Sequence, residues 1–345
     1  QAEDACELVD VDWIELPQVG EVADALAPDA PKVHEDLESN LLYETTVASG
    51  DVETALESAS IVVEKTFRFH RHTGVSLETR GILADYDPTE QRLTVYQSHQ
   101  TPHQQQDLYA RLLGLPEHKV HVICPDVGGA FGLKHHLYSD ELIACAAAVK
   151  LGRPVKFICD RFEAFLSDIH CRDHEVHARM GFDDDGTIIG LAIEDRFNAG
   201  AYGQYPRSSI AEGNQISRLT GAPYQLQNYR ADVKMAFLNR GVLGHIRAVG
   251  HPIAIAVGEG MVDAAAAELG LDAAEIRRRN LIRDDAYPCT SPTGMRFNEL
   301  SHQACLEKLL AQMDYQGLRE EQSRLREQGI WRGVGLSLFV EVTNP

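Results

Sequence analysis

The sequence has little positive charge. Its 345 residues include 32 Lys and Arg against 52 Asp and Glu, which gives a formal net charge of −20. No basic tract offsets this charge, so the composition argues against nucleic-acid binding and against attachment to an anionic membrane surface. No stretch approaches about 18 consecutive apolar residues, so no membrane span is predicted, and no signal peptide is visible.

Paired cysteines are also missing. The seven cysteines stand at positions 6, 124, 145, 159, 171, 289 and 305, and none belongs to a CxxC pair. This spacing is not that of an iron–sulfur cluster or a zinc ribbon. It indicates reduced thiols and a cytoplasmic location, while the sequence alone leaves a disulfide open.

Recognised metal-ligand and nucleophile motifs are absent too. The fifteen histidines include three close pairs, but none stands with carboxylates or cysteines in a pattern such as HExxH. The pairs are His99/His103, His118/His121 and His135/His136. There is no GxSxG elbow. We therefore predict no direct side-chain ligand to a metal and interpret most histidines as surface or loop residues.

What the sequence does contain is a glycine-rich loop, CPDVGGAFGLKHH, at residues 124–136. An alternating apolar run precedes it and a run with helical spacing follows it, which predicts strand, loop and helix in that order. Gly128, Gly129 and Gly132 flank one bulky ring, Phe131. Such a loop either aims backbone N–H groups at an anion such as a phosphate or is only a tight, closely packed turn.

Two other turns carry candidate binding residues. In YQSHQTPHQQQ (96–106), Gln100 follows a predicted strand, so it either presents its amide to a ligand or serves as a turn residue or cap. In GHIRAVGHP (244–252), Arg247 precedes a long alanine-rich helix. An arginine there can bind an anion at the helix N-terminus, and the alternative is a solvated surface arginine.

Strands and helices alternate in some regions and hairpins occur in others, which favours the α+β class. Residues 34–50 are polar and aperiodic and are predicted to be a connector. Asp272 and Glu275 are predicted to cap a helix together. The main predicted helices cover about 104–113, 139–150, 255–269, 272–281 and 302–328, and the main predicted strands are IVVEKTFRFH, RLTVYQS, KVHVIC, VKFIC and a hairpin within HEVHARMGFDDDGTIIGLAIEDRFN.

Taken in order, these segments resemble the large subunit of the xanthine oxidase and aldehyde oxidase family of molybdenum hydroxylases. That family carries a Q-x-P-H turn, a G-G-x-F-G loop, a D-R-x-E segment and an R-x-x-G-x-P turn followed by helices. The matching stretches are SHQTPH, LLGLPEHKVHVICPDVGGAFGLK, DRFEAF, HIRAVGHPIAIAVGEGMVDAAAAELGLDAAEIRRRNL, YPCTSPTGMRF and GVGLSLF.

The resemblance implies a molybdenum–molybdopterin cofactor, in its cytosine dinucleotide form. It implies that glycine backbone approaches the metal's ligands and the pterin, that the phenylalanine ring excludes solvent, and that the glutamine amide bonds an oxygen on the metal. The implied cofactor-binding residues are Gln100, Gly128, Gly129, Ala130, Phe131, Gly132, Arg247 and Ala248. Because Ala248 stands where the carbon monoxide dehydrogenase branch has a cysteine, the resemblance implies an aldehyde or N-heterocycle as substrate.

The resemblance also implies a domain order. Residues 1–33 would be the end of a small hammerhead-like domain, 34–55 a connector, 56–332 the first molybdopterin-binding domain and 333–345 the start of a second. The family's subunit is much longer and carries its general-base glutamate near its far C-terminus. We therefore expect this chain to be a fragment or one part of a split subunit, with no catalytic residue of its own, and interpret Glu259 as structural.

The function implied is oxidation of an aldehyde, N-heterocycle or aromatic substrate with water as oxygen source. Electrons would pass to a ferredoxin-like 2Fe-2S subunit and an FAD subunit, and the rest of the molybdenum subunit would be a further partner. The isolated chain is expected to be inactive. Two alternatives stay open: a catalytically inactive scaffold or assembly fragment, and a generic phosphate-binding loop.

Overall fold

A computed structural model describes residues 2–341 of the chain. Its strands are β1 (Leu41–Ser49), β2 (Ile61–Phe69), β3 (Gly81–Asp87), β4 (Arg92–Gln97), β5 (Val120–Ile123), β6 (Val155–Ile158), β7 (His174–Phe182), β8 (Ile188–Asn198), β9 (Tyr229–Ala236), β10 (Cys289–Thr290) and β11 (Arg296–Phe297). Its helices are α1 (Ala2–Cys6), α2 (Val22–Ala25), α3 (Val52–Glu57), α4 (Pro102–Leu113), α5 (Ser139–Leu151), α6 (Arg161–Ser167), α7 (Ile210–Leu219), α8 (His251–Leu269), α9 (Ala273–Asn280), α10 (His302–Gln312) and α11 (Tyr315–Glu327).

The strands form two mixed sheets and one short ribbon. The larger sheet has the order β1-β9-β8-β7-β2 and the smaller one β5-β4-β3-β6, while β10 pairs with β11. Buried residues of the larger sheet pack against α8 and α9, and those of the smaller sheet pack against α4 and α5. Mixed sheets with helices packed on them confirm the predicted α+β class.

The smaller sheet places two of the predicted motifs at one edge. Strands β4 and β5 are parallel neighbours, with Tyr96 opposite Ile123. Parallel strands end at the same edge of a sheet, so the chain leaving β4 and the chain leaving β5 emerge side by side. The first continues into the Gln100 turn and the second into the glycine loop at 124–136.

The predicted connector is in part wrong. Within 34–55, residues Leu41–Ser49 form edge strand β1, which pairs antiparallel with β9, and α3 begins at Val52. The strand was missed because its side chains alternate only between exposed and half-buried positions, so the sequence carries no apolar period. Backbone pairing to β9 stabilises it regardless of side-chain polarity.

Other local predictions need correction. The helix predicted over 302–328 is two helices, interrupted at Asp314, whose φ is +47°. Asp272 does cap α9, accepting the N–H of Ala274, but Glu275 pairs with Arg278 and Arg279 instead of completing a capping box. The apolar run at 333–341 belongs to no helix or strand of the described part of the chain, and 342–345 lie outside that part.

Candidate functional site

The glycine-rich loop folds through left-handed backbone conformations. The φ angles of Gly129, Phe131 and Gly132 are +96°, +56° and +101°. L-residues rarely adopt such angles, which explains glycine at two of the three positions and makes Phe131 a strained one. A Cβ on Gly132 would lie 2.5 Å from the carbonyl oxygen of His245, so only glycine lets the loop approach that segment.

A carboxylate that the sequence did not reveal supports the loop from beneath. One oxygen of Glu78 accepts the N–H of Gly128 at 2.7 Å, the ammonium of Lys134 at 2.6 Å and the hydroxyl of Ser98. In return, the N–H of Glu78 donates to the carbonyl of Gly128 at 3.0 Å. Partial burial would raise the pKa of Glu78, but these donors, led by Lys134, lower it to about 2. Lys134, whose side chain is fully buried, and the more exposed Glu78 therefore form a charged anchor for the loop.

Gln100 contacts the loop directly. Its side-chain oxygen accepts the N–H of Gly132 at 2.9 Å, and its backbone N–H donates to the carbonyl of Lys134 at 2.9 Å. The residue is exposed, and its amide NH₂ makes no hydrogen bond to the described part of the chain. The loop therefore fixes the amide orientation, and two donors stay available to a ligand.

The Arg247 turn packs on the other side of the loop. The N–H of Arg247 donates to the carbonyl of Phe131 at 2.7 Å. The guanidinium carbon lies 4.6 Å from the centre of the Phe131 ring, a cation–π contact at an exposed position. Next in the chain, Ala248 and Val249 have φ angles of +66° and +51°. The three predicted motifs thus meet in space.

Several backbone donors at this meeting point are unpaired. The N–H groups of Gly129, Ala130, Phe131 and Ala248 make no hydrogen bond to any acceptor within residues 2–341. Consecutive free N–H groups next to left-handed residues form a concave binding site for anionic or electron-rich ligand atoms. Together with the Arg247 guanidinium and the Gln100 amide, this donor set fits the sulfur, oxygen and phosphate atoms of a pterin-held metal group.

Glu259 has no free oxygen for chemistry. Its carboxylate accepts the hydroxyl of Tyr224 at 2.5 Å, two donors of Arg277 at 2.9 and 3.0 Å, and the N–H of Leu338 at 2.9 Å. The side chain is buried within α8 packing and ties α9 and the segment at 338 together. The structural interpretation of Glu259 therefore agrees with its contacts.

Two of the loop histidines are buried rather than exposed. His99 and His136 are buried, and the Nε2 atom of His99 lies 3.2 Å from the carbonyl of His136. Burial lowers the pKa of His99 to about 4 and of His136 to about 3, so both are neutral at physiological pH. Among the described residues, no group of three or more His, Cys, Asp or Glu could hold a metal ion, and every cysteine is free.

Comparison with known proteins supports the family resemblance seen in the sequence. The family model described as the molybdopterin cofactor-binding domain matches residues 33–281. The carbon monoxide dehydrogenase large chain of Hydrogenophaga pseudoflava is 32% identical over 99% of this chain and 45% of its own length. The nicotine 6-hydroxylase large subunit of Paenarthrobacter nicotinovorans is 30% identical over 99% of this chain and 41% of its own.

A solved structure agrees in fold. Quinoline 2-oxidoreductase from Pseudomonas putida 86 superposes with a TM-score of 0.89 and 31% identity, over 95% of this chain and 42% of that one. The chain thus spans less than half the length of each of these three relatives. On the matched residues and the shared fold, it belongs to the molybdopterin cofactor-binding family, with the large subunits of xanthine oxidase-type molybdenum oxidoreductases.

Proposed function

We propose that this chain forms one side of the cofactor and substrate site of a molybdenum-dependent hydroxylase or dehydrogenase. The observation that carries the proposal is the convergence of Gln100, the glycine loop and Arg247 around four unpaired backbone N–H groups. Family membership favours an enzyme over the inactive scaffold that the sequence left open. It likewise favours molybdopterin over a generic phosphate.

Each residue of the site has a proposed role toward the cofactor. The free N–H groups of Gly129, Ala130 and Phe131 would bind its electron-rich atoms, while the Gln100 amide would donate to an oxygen on the metal. Arg247 would add positive charge beside it, oriented by its contact with the Phe131 ring. When bound, the cofactor supplies two-electron oxidation with oxygen derived from water. The pterin would be the cytosine dinucleotide form, as the sequence resemblance implies.

The wall beside the loop favours an apolar, flat substrate. Arg161 on α6 donates to the carbonyls of Ser76 and Leu77, which places α6 next to the irregular segment that carries Glu78, the anchor of the loop. Leu77 is 92% exposed, and Phe162 and Leu166 on α6 are 76% and 75% exposed. Such side chains suit an aromatic or N-heterocyclic ring or an apolar aldehyde.

Carbon monoxide is a less suitable substrate. One similar structure is titled a Cu,Mo carbon monoxide dehydrogenase. The turn of this chain carries Ala248, which offers no thiol to a copper ion. Relatives named for nicotine and quinoline fit the apolar wall better. We therefore propose hydroxylation of a heterocycle or an aldehyde.

The remaining catalytic parts are proposed to lie outside this chain. Glu78 is a poor candidate for the general base, because three donors hold one of its carboxylate oxygens and lower its pKa to about 2. We propose that a glutamate in the length that this chain does not span is the base, and that the chain alone is inactive. Electron transfer would use ferredoxin-like 2Fe-2S and FAD subunits, since several relatives are named as subunits or large chains.

We also propose a cytoplasmic location and limits for the cofactor-binding domain. Seven free cysteines favour the cytoplasm. In the structure, no described helix is long and apolar enough to cross a membrane. The cofactor-binding domain is proposed to begin by Leu41, earlier than residue 56, because β1 belongs to its larger sheet, and to run to about 332.

Metal and pterin analysis tests the proposal. The protein would be purified with its partners from a host that makes the molybdenum cofactor, and from the same host with cofactor synthesis disrupted. We expect near-stoichiometric molybdenum, a pterin and released CMP from the first preparation alone. Folded protein without molybdenum or pterin from the competent host would contradict the proposed function, and a different nucleotide would correct only the cofactor form.

A further inference from the structure

A buried chain of charged groups reaches the Arg247 turn from the side opposite the glycine loop. A guanidinium nitrogen of Arg172 donates to the carbonyl of Arg247 at 2.9 Å. The other end of the guanidinium pairs with Glu212, which also accepts the backbone N–H of Arg172 at 3.1 Å. Arg172 is 6% exposed and Glu212 is fully buried. Arg172 thus bridges a buried carboxylate and the turn backbone.

The carboxylate of Glu212 is in turn held by a buried histidine. Nε2 of His174 lies 3.4 Å from Glu212, and Nδ1 lies 2.8 Å from a carboxylate oxygen of Asp195. The His174 ring stacks on Phe197, with centroids 4.3 Å apart and an interplanar angle of 11°. Burial would lower the pKa of His174, but Asp195 first and then Glu212 raise it to about 9. Negative and positive side chains therefore alternate along this buried series, in the order Asp195, His174, Glu212 and Arg172.

Helix α7 contacts the same turn. The N–H of Gly250 donates to the side-chain oxygen of Gln215 at 2.7 Å, and a Cβ on Gly250 would lie 2.3 Å from the carbonyl oxygen of Glu212. The turn just before Gly250 contains Ala248 and Val249, both in left-handed conformations. Such backbone persists only where its surroundings hold it. The buried charges and α7 supply that support.

A second strained segment presents the arginine. Arg172 and Asp173 have φ angles of +68° and +72°. This conformation directs both the backbone N–H and the guanidinium of Arg172 toward Glu212. Burying four ionised groups is costly, and apolar side chains would fill the space at lower cost. The hydrogen bond from Arg172 to the Arg247 carbonyl gives the buried charges a function beyond packing.

We propose that Arg172 and Glu212 are positioning residues that hold the Arg247–Val249 turn in the conformation in which Arg247 and the free N–H of Ala248 face the cofactor. The inference rests on the proposed function for the identity of the ligand. The geometry of the turn, however, is testable without any ligand. Neither residue is proposed to touch substrate or cofactor.

Hydrogen–deuterium exchange of the peptide spanning 244–251 is the test, on the full protein. In this peptide the hydrogen-bonded N–H groups are those of Gly244, Arg247, Val249, Gly250 and His251. The variants are Glu212→Gln, which removes the charge, and Arg172→Lys, which keeps a cation beside Glu212 but cannot also bond the Arg247 carbonyl. The matched control is Glu259→Gln, which weakens a different buried carboxylate–arginine pair.

We expect both variants to speed exchange at 244–251 by about tenfold, as local opening requires, while the control leaves it unchanged at a similar melting temperature. In loaded enzyme, Arg172→Lys should keep its molybdenum and lose up to about 10²-fold in kcat with little change in KM. Exchange in Arg172→Lys equal to that in the control would overturn the proposal, even if Glu212→Gln fails to fold. A wild-type protein without molybdenum would contradict the proposed function. The exchange result would still decide whether Arg172 and Glu212 hold the turn.

Discussion

The side-chain oxygen of Gln100 accepts the backbone N–H of Gly132, 32 positions away in the sequence, at 2.9 Å. This bond joins two loops that leave parallel neighbouring strands at one edge of the smaller sheet. It also fixes which face of the amide is free, because the oxygen is used by the protein and the NH₂ group is not. The pairing therefore turns a flexible exposed side chain into an oriented donor.

Substitution of Gln100 tests the donor function of its amide. Gln100→Glu keeps an acceptor for Gly132 but has no donor, whereas Gln100→Ala removes both. We expect each to lower turnover by about 10²-fold, the lower end for loss of one oriented donor, while molybdenum stays bound. Steady-state kinetics and metal analysis of the assembled enzyme check this. Full turnover in Gln100→Glu would remove the amide donors from the site.

Gly132→Ala should disrupt the contact between the loop and the Arg247 turn. The added Cβ would lie 2.5 Å from the His245 carbonyl, at a φ of +101°, so we expect a loss of about 1–3 kcal/mol in the free energy of unfolding and most of the molybdenum. Gly152→Ala is the control, because its φ is +58° but nothing lies within 4 Å of the new Cβ. Denaturation measures the change in the free energy of unfolding. Metal analysis should show lost molybdenum in Gly132→Ala and full molybdenum in Gly152→Ala.

Glu78→Gln tests the anchor beneath the loop. The amide oxygen can still accept two hydrogen bonds, but the buried Lys134 loses its counter-charge. We expect about 1–3 kcal/mol lower stability. Faster exchange should be confined to residues 124–136. A variant with unchanged exchange there would mean that Glu78 is incidental to the loop.

The buried His174 predicts a loss of stability at alkaline pH. Its folded pKa of about 9 exceeds the usual unfolded value of about 6.5, so its stabilising effect is complete below 6.5 and is lost as pH rises through 9. His174 faces Asp195 and Glu212, and Arg172 lies beyond Glu212. As the pH rises within that window, the free energy of unfolding should fall by about 1.4 kcal/mol per pH unit. Urea denaturation between pH 6 and 10 measures the slope, and His174→Gln should flatten it. An equal slope in the variant would contradict this assignment.

The sequence predicted the parts of the site that are local. The glycines, Phe131, Gln100 and Arg247 each stand in a short segment whose turn chemistry is visible without a fold. Their meeting followed from the resemblance, and the parallel pairing of β4 with β5 supplies its physical cause.

The supporting residues were not predictable in the same way. Glu78 lies far along the chain from Gly128 and Lys134 and belongs to no motif, so only the fold reveals its partners. Arg172 and Glu212 are likewise separated by a whole hairpin and a loop. Charged residues in a sequence usually indicate a solvated surface, and nothing local distinguishes those that become buried in pairs.

Anomalous diffraction at the molybdenum absorption edge, from crystals of the holoenzyme, tests the central claim most directly. We predict one strong peak beside the Gln100 amide, the N–H groups of Gly129 to Phe131 and the Arg247–Ala248 turn. A molybdenum peak away from these groups, with their donors directed to solvent, would contradict it.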